Sequence, residues 1–219
     1  MGLYASHYPF TEAARKLFFT FIRAYFRPQV TGQERLPTEG AFILAANHAS
    51  HVDTAVLFST FPPQLQQRVV AAAARDYFFE GGLRQSVARM LFNAIPVDRD
   101  AAHGEDPLRH VIRALGEGYG LLIYPEGTRS KDGAIGPFRR GIGRLIAIFP
   151  GIPVIPTHLN AAAKAMPKGA IVPLPYTVQV RFGAPLYLQA HPDDRASWRS
   201  ATDAVRAAVL QLEARTGYL

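Results

Sequence analysis

The chain has 219 residues, 48% of them apolar and 19% charged, which suits one sizeable globular core and excludes a disordered chain. Lys plus Arg outnumber Asp plus Glu by 24 to 17, and the net charge of +7 favours an anionic partner: nucleic acid, an anionic membrane surface or a phosphorylated substrate. Cysteine is absent, which excludes disulfides, thiolate nucleophiles and Cys-based metal sites.

The first ten residues lack both a charged start and an apolar core, so no secretory signal is expected. No uncharged apolar run of about eighteen residues occurs, so any membrane contact should come from the surface. Residues 11–27 have helical spacing. Arg15, Lys16, Arg23 and Arg27 fall within a sector of roughly 120°. Ala14, Leu17, Phe18, Phe21, Ala24 and Tyr25 lie opposite, while Phe19 and Phe26 intrude on the basic sector. Two readings fit this pattern: a helix lying in a lipid interface, or one docked on the core with its cations in water. Pro28 ends it.

Downstream, short apolar runs alternate with helical patterns. Strands are expected at Ala41–Ala46, Val69–Ala74, Ile95–Val97, Gly120–Tyr124, Ile152–Leu159 and Tyr176–Phe182. Helices are expected at Thr54–Ser59, Leu83–Phe92, Leu108–Leu115, Ile142–Phe149 and Ala196–Arg215. The last places Trp198, Ala201, Val205, Ala208, Val209 and Leu212 on one core-facing side. This alternation predicts a single α/β domain over 31–219 with a mostly parallel central sheet flanked by helices, preceded by an amphipathic helical segment over 1–30. In such sheets function gathers in the loops that follow the strands.

Four segments stand out against this frame. Asn47-His48-Ala49-Ser50-His51-Val52-Asp53 follows the first strand. His48 and Asp53 are about 140° apart on a regular helix, but a loop entering a helix brings them together. The carboxylate would then fix one imidazole nitrogen as a donor and leave the other as a base. A satisfied loop hydrogen bond is the plainer alternative. Ser50 has no G-x-S-x-G surroundings, so a substrate hydroxyl is the better nucleophile. His51 competes as base or metal ligand, although the metal reading is weak without Cys or an H-x-x-x-H pair.

Tyr124-Pro125-Glu126-Gly127-Thr128-Arg129-Ser130 follows another strand and opens a basic stretch holding Lys131, Arg139, Arg140 and Arg144. Guanidinium groups on a glycine-rich loop suit an anionic head group; the alternatives are a solvated basic loop, with Glu126 as the carboxylate holding it. In Ile95-Pro96-Val97-Asp98-Arg99, Arg99 could bind phosphate or pair with Asp98 or Asp100 at the surface. Ile152-Pro153-Val154-Ile155-Pro156 reads as an edge strand or bulge.

In this order the segments resemble the lysophosphatidic acid / glycerol-3-phosphate acyltransferase family. The family's N-H-x-S-x-x-D motif is matched at Asn47, His48, Ser50 and Asp53, and its F-P-E-G-T-R-S motif at Pro125–Ser130 with Tyr124 in place of Phe. The third and fourth segments resemble its arginine-containing phosphate motif and its proline-rich strand, with Asn93 where a glycine is expected. The resemblance implies His48 as general base, Asp53 as its partner, and Asn47 and Ser50 in support. It implies Arg99, Glu126, Gly127, Thr128 and Arg129 as acceptor-binding residues.

It also implies acyl-CoA or acyl-carrier-protein as the thioester donor, lysophosphatidic acid as acceptor, and no metal or other cofactor. Partners would be an anionic membrane surface and the phosphorylated lipid, not nucleic acid, which has no recognition signature here. The location implied is peripheral or monotopic, on the cytoplasmic face. Glycerol-3-phosphate, a lyso-ornithine lipid or another lysophospholipid are alternative acceptors, and an inactive lipid-binding protein of the same fold is a further alternative.

Overall fold

The structure, a computed structural model, describes residues 9–75, 83–98, 105–130, 133–160 and 173–214. Among the described residues eight strands share one sheet: β1 (Gln29–Thr31), β2 (Phe42–Ala46), β3 (Val69–Ala74), β4 (Ile95–Val97), β5 (Gly120–Ile123), β6 (Pro153–Asn160), β7 (Gln179–Phe182) and β8 (Leu186–Tyr187). Their order is β1-β7-β6-β2-β5-β3-β4, with β8 also beside β6. From β6 to β4 every neighbouring pair is parallel. β7 and β8 return antiparallel to β6, and β1 runs parallel to β7. The mostly parallel α/β sheet expected from the alternation of strands and helices is present.

β2 is central, and every residue of its Phe-Ile-Leu-Ala-Ala run is buried. The period of two divides it between two cores. Phe42, Leu44 and Ala46 face α1 (Pro9–Phe26), α2 (Asp53–Thr60) and α3 (Pro63–Arg68). Ile43 and Ala45 face α5 (Arg109–Gly116), α6 (Gly141–Ile148) and α7 (Arg195–Ala214). α4 (Leu83–Phe92) lies beside α1, bringing Phe92 against the first core. Gly120 of β5 pairs with Phe42, and a Cβ there would lie 2.4 Å from the Phe42 ring, so the missing side chain is what lets that ring lie across the sheet.

α2 connects β2 to one face of the sheet, whereas α6, after the adjacent β5, packs on the other. Two neighbouring parallel strands that send their helices to opposite faces open a crevice at their carboxyl ends. All the residues of α2 except Thr54 are buried, because the helix is sandwiched between the sheet and α1. Phe19 of α1 stacks on Phe58 of α2 at 6.1 Å, and Phe18 meets Phe92 edge-on.

α1 departs from the expected helix in its polar face. Arg15 does not join a basic surface: it is buried and donates to Asn93 Oδ1 at 2.8 Å and to the Gln66 carbonyl at 2.8 Å. Phe19, Ile22 and Phe26, on the same side, form the docked face. The tertiary partner of Arg15 explains the difference, since a cation can be buried where acceptors replace its water. Asn93 is itself explained by its backbone, with φ +48. This is the left-handed region, where asparagine is the commonest substitute for glycine. Its amide also donates to the carbonyls of Gln66 and Val69, which a glycine could not do.

β6 overturns a second expectation. The Pro-containing segment is not an edge strand: it lies between β2 on one side and β7 and β8 on the other. Pro153 opens the strand, and the Pro156 carbonyl accepts from Gly183 in the gap between β7 and β8. The missing N–H of Pro156 lies on the same side as its carbonyl, toward Gly183 just past the end of β7, so the pairing with β2 does not need it.

Candidate active site

The ends of β2 and β5 carry the first two motifs side by side. Beyond β2, Asn47 continues the ladder with its side chain. Its Nδ2 donates to the Leu159 carbonyl at 3.1 Å and its Oδ1 accepts from the Leu159 amide at 2.8 Å. A carboxamide can do this because it reproduces both halves of a peptide group. His48 then leaves the sheet, and the chain turns into α2 at Asp53.

Asp53 Oδ2 accepts from His48 Nδ1 at 2.8 Å, from the Ala49 amide at 2.8 Å and from the Ser50 amide at 2.9 Å. The Asp53 side chain has no solvent exposure, while that of His48 is 22% exposed. Three donors and the first turn of α2 compensate the buried anion. Asp53 Oδ1 is buried with no hydrogen-bond partner among the described residues. Because the carboxylate can only accept, Nδ1 carries the proton in this bond, and the lone pair of the neutral ring lies on Nε2. The carboxylate-oriented imidazole expected from the five-residue spacing is formed by the turn, not by helical periodicity.

The second motif braces the first. Glu126 is buried, and its Oε1 accepts from the His48 amide at 2.8 Å while Oε2 accepts from the Gly136 amide at 2.9 Å. Of its two readings, the carboxylate that holds the loop is the one the geometry displays. Ser130 N donates to the His48 carbonyl at 2.8 Å, closing a second link between the loops. Gly127 has φ +72, and a Cβ there would come within 2.5 Å of Arg139 Nε. Thr128 is exposed and Arg129 half-buried on the same loop. Arg99 and Lys131 lie outside the described residues.

Not every cation of the basic stretch is available for an anion. Arg144 makes a two-pronged pair with Asp106, at 2.7 and 2.5 Å, and that guanidinium holds the Asp106 carboxyl below its ordinary range. Asp98 pairs with Arg75 and Arg109. Burial alone would raise its pKa, but the two guanidiniums outweigh this and hold the carboxyl below its ordinary range. Arg75 follows β3 and Arg109 opens α5, whereas Arg99, which could pair with Asp98 or Asp100, is outside the described residues.

Two contacts had no signal in the sequence. Arg139, one cation of the basic stretch, lies over Gly127. Tyr124, which stands where the resembling motif has Phe, stacks on the His48 ring with centroids 4.1 Å apart and planes 17° from parallel. Its hydroxyl lies 3.0 Å from Thr54 Oγ1. Burial, reinforced by the Asp53 charge, pushes the phenol well above its usual range, so it is neutral.

A mostly parallel sheet covered on both faces, with a carboxylate-held histidine in the crevice at its strand ends, defines an α/β protein of the doubly wound kind. The chain belongs to the acyltransferase family, whose profile matches residues 27–160. It is 30% identical over 151 residues to the chloroplastic 1-acyl-sn-glycerol-3-phosphate acyltransferase BAT2 of Brassica napus, covering 68% of this chain and 42% of that protein. It is 30% identical over 182 residues to a 1-acyl-sn-glycerol-3-phosphate acyltransferase of Pseudomonas aeruginosa, covering 79% of this chain and 64% of that protein. It therefore spans only about two-fifths to two-thirds of the length of these curated relatives. The crystal structure of the 1-acyl-sn-glycerophosphate acyltransferase PlsC from Thermotoga maritima has the same fold, with a TM-score of 0.68 at 21% identity over 95% of this chain and 83% of that one.

Proposed function

We propose that this protein transfers a fatty acyl group from a thioester donor, acyl-CoA or acyl-carrier-protein, to the free hydroxyl of lysophosphatidic acid, giving phosphatidic acid. The observation that carries this reading is the His48 Nδ1–Asp53 Oδ2 bond of 2.8 Å at the mouth of the crevice. The acceptor hydroxyl gives its proton to His48 Nε2 as its oxygen attacks the thioester carbonyl. The carbon–sulfur bond breaks, and the imidazolium returns the proton to the departing thiolate. Such a base contributes about 10² to 10⁴-fold, with positioning of the reactants supplying the larger part. Arg129, with Arg99, would hold the phosphate and aim the hydroxyl at His48.

Two features support lipid substrates. A cavity of about 530 Å³ runs between α1 and α4, lined by Phe18, Ile22, Tyr25, Val52, Leu91 and Phe92, and it reaches the His48 loop at His51. Its apolar walls suit an acyl chain. On the outer side of α1, Leu17 is 74% and Phe21 59% exposed, beside the exposed Lys16, Arg23 and Arg27. The segment before β7 adds exposed Leu174 and Tyr176, and it is tied to the helix by Tyr25 and Arg27, which donate to the carbonyls of Pro173 and Pro175. Apolar side chains flanked by cations suit an anionic membrane surface contacted from one side. Among the described residues no helix is long and apolar enough to cross a membrane.

The test is thiol release from palmitoyl-CoA, and separately from palmitoyl-carrier-protein, with lysophosphatidic acid, glycerol-3-phosphate, lysophosphatidylcholine or a lyso-ornithine lipid as acceptor. Release dependent on lysophosphatidic acid and lost in His48→Ala, with vesicle binding retained, is the expected outcome. Preference for another acceptor would reject the substrate, and an active His48→Ala would reject the base.

A further inference from the structure

We propose that Tyr124 is the positioning residue of the His48 base, fixing the plane of the imidazole and stabilising the imidazolium that forms when Nε2 takes the acceptor proton. The inference rests on His48 being that base. A hydrogen bond from Nδ1 to Asp53 fixes one edge of the ring but leaves it free to swing about that contact. The Tyr124 ring, 4.1 Å away and within 17° of parallel, blocks the swing. Edge and face together set where Nε2 points.

The ring that does this is itself held. Tyr124 follows β5 directly, and its hydroxyl hydrogen-bonds with Thr54 at 3.0 Å. Thr54 is the residue after Asp53 at the start of α2. The carboxylate at the imidazole edge and the anchor of its stacking partner therefore come from consecutive residues of one helical turn. Phe, found at this position in the resembling motif, could stack but could not reach Thr54.

The electrostatics favour the same role. An aromatic face is the negative pole of the ring quadrupole and attracts a cation more than a neutral group. The phenol is neutral, so it adds no full charge to distort that preference. The stack is thus stronger against the imidazolium than against the imidazole of the ground state, which is the condition for it to accelerate the reaction. The other titratable or charged groups on elements around the ring are Asp53 from α2, His51 on the intervening turn, and Glu126, Arg129 and Arg139 on the loop after β5. None of them is altered by substituting Tyr124.

The experiment compares Tyr124→Phe, Tyr124→Leu and ring-fluorinated phenylalanines at position 124, measuring kcat, acceptor KM and the acid limb of the pH–rate profile. Tyr124→Phe should retain kcat within about threefold, because it keeps the face. Tyr124→Leu should lose about tenfold to a hundredfold in kcat, with little change in KM, and its acid limb should move to lower pH as the imidazolium loses its support. Fluorination keeps the ring's shape while withdrawing its negative face, so it keeps the test open should the leucine variant not fold. A stepwise shift of the acid limb with fluorination is expected. Unchanged kcat and pH profile across the fluorinated series would overturn the proposal. His48→Ala run alongside separates the two claims: inactive His48→Ala with a flat Tyr124 series rejects this role alone, whereas active His48→Ala rejects the base.

Discussion

Replacing Asp53 by Asn removes one charge and almost no volume, so it separates the electrostatic role of the carboxylate from its role in the turn. Oδ2 accepts three N–H groups, and an asparagine carbonyl oxygen placed there can accept all three. The amide nitrogen then takes the position of Oδ1, which has no partner to lose. Three charge-assisted bonds become neutral ones, each weaker by about 1 kcal/mol, while the cost of burying an anion disappears. The balance is a destabilisation of about 1–2 kcal/mol, or a fall in Tm of about 2–8 °C for a chain of this size.

Activity should respond far more. Without the anion, only a neutral carbonyl oxygen faces Nδ1, so the imidazolium loses the charge that stabilised it from that side. A loss of about 10² to 10⁴-fold in kcat is expected, with vesicle binding unchanged. The assay is thiol release at saturating donor, with the melting temperature recorded on the same preparation. Activity within tenfold of the parent, on a folded variant, would refute the argument that Asp53 acts through His48.

Three further outcomes follow from the packing. Arg15→Met should cost about 2–4 kcal/mol in urea unfolding, because Asn93 Oδ1 and the Gln66 carbonyl lose a buried donor. A double-mutant cycle with Asn93→Gly should show coupling, and strict additivity would contradict the shared network. His158 is lowered to about 4, by burial first and then by the nearby Arg181 charge. Between pH 6.5 and 4 the unfolded chain takes up a proton that the folded chain refuses, so stability should fall as pH falls through that window, by up to about 1.4 kcal/mol per pH unit. His158→Leu should flatten the slope measured by chemical unfolding; an unaltered slope would count against it. Gly143→Ala places a Cβ 2.0 Å from the Trp198 carbonyl oxygen and should separate α6 from α7 at a cost of about 1–3 kcal/mol or more. Gly141→Ala, whose nearest neighbour would be 3.7 Å away, is the control that should fold as the parent does.

Much of the fold was legible because its strands are short, apolar and separated by helical patterns. Val69–Ala74, Leu83–Phe92 and Ile95–Val97 appear with the expected bounds, and the other expected elements differ by a few residues at their ends. β1, α3 and β8 were not legible. β1 has three residues and β8 two, and each is a strand only because a longer neighbour supplies the ladder. α3 is polar throughout except for Leu65, so it has no periodic apolar face to read. The site was legible as two motifs, since His48 and Asp53 are close in sequence and the Tyr124–Ser130 loop has a distinctive composition. The bonds joining those loops were not, because they are made largely by backbone amides, which every residue carries.

The sequence by itself determined the alternation of elements, the burial of β2 and the pairing of an imidazole with a nearby carboxylate, all of which depend on local spacing and side-chain type. Only the tertiary structure decided that Arg15 is buried, that β6 is an interior strand despite two prolines, and that Tyr124 lies on His48. Each of these joins groups far apart in the chain, from Arg15 with Asn93 to His48 with Tyr124. Whether a cation is solvated, a proline tolerated or a ring stacked depends on which partner arrives across that distance, and no local pattern encodes the arrival.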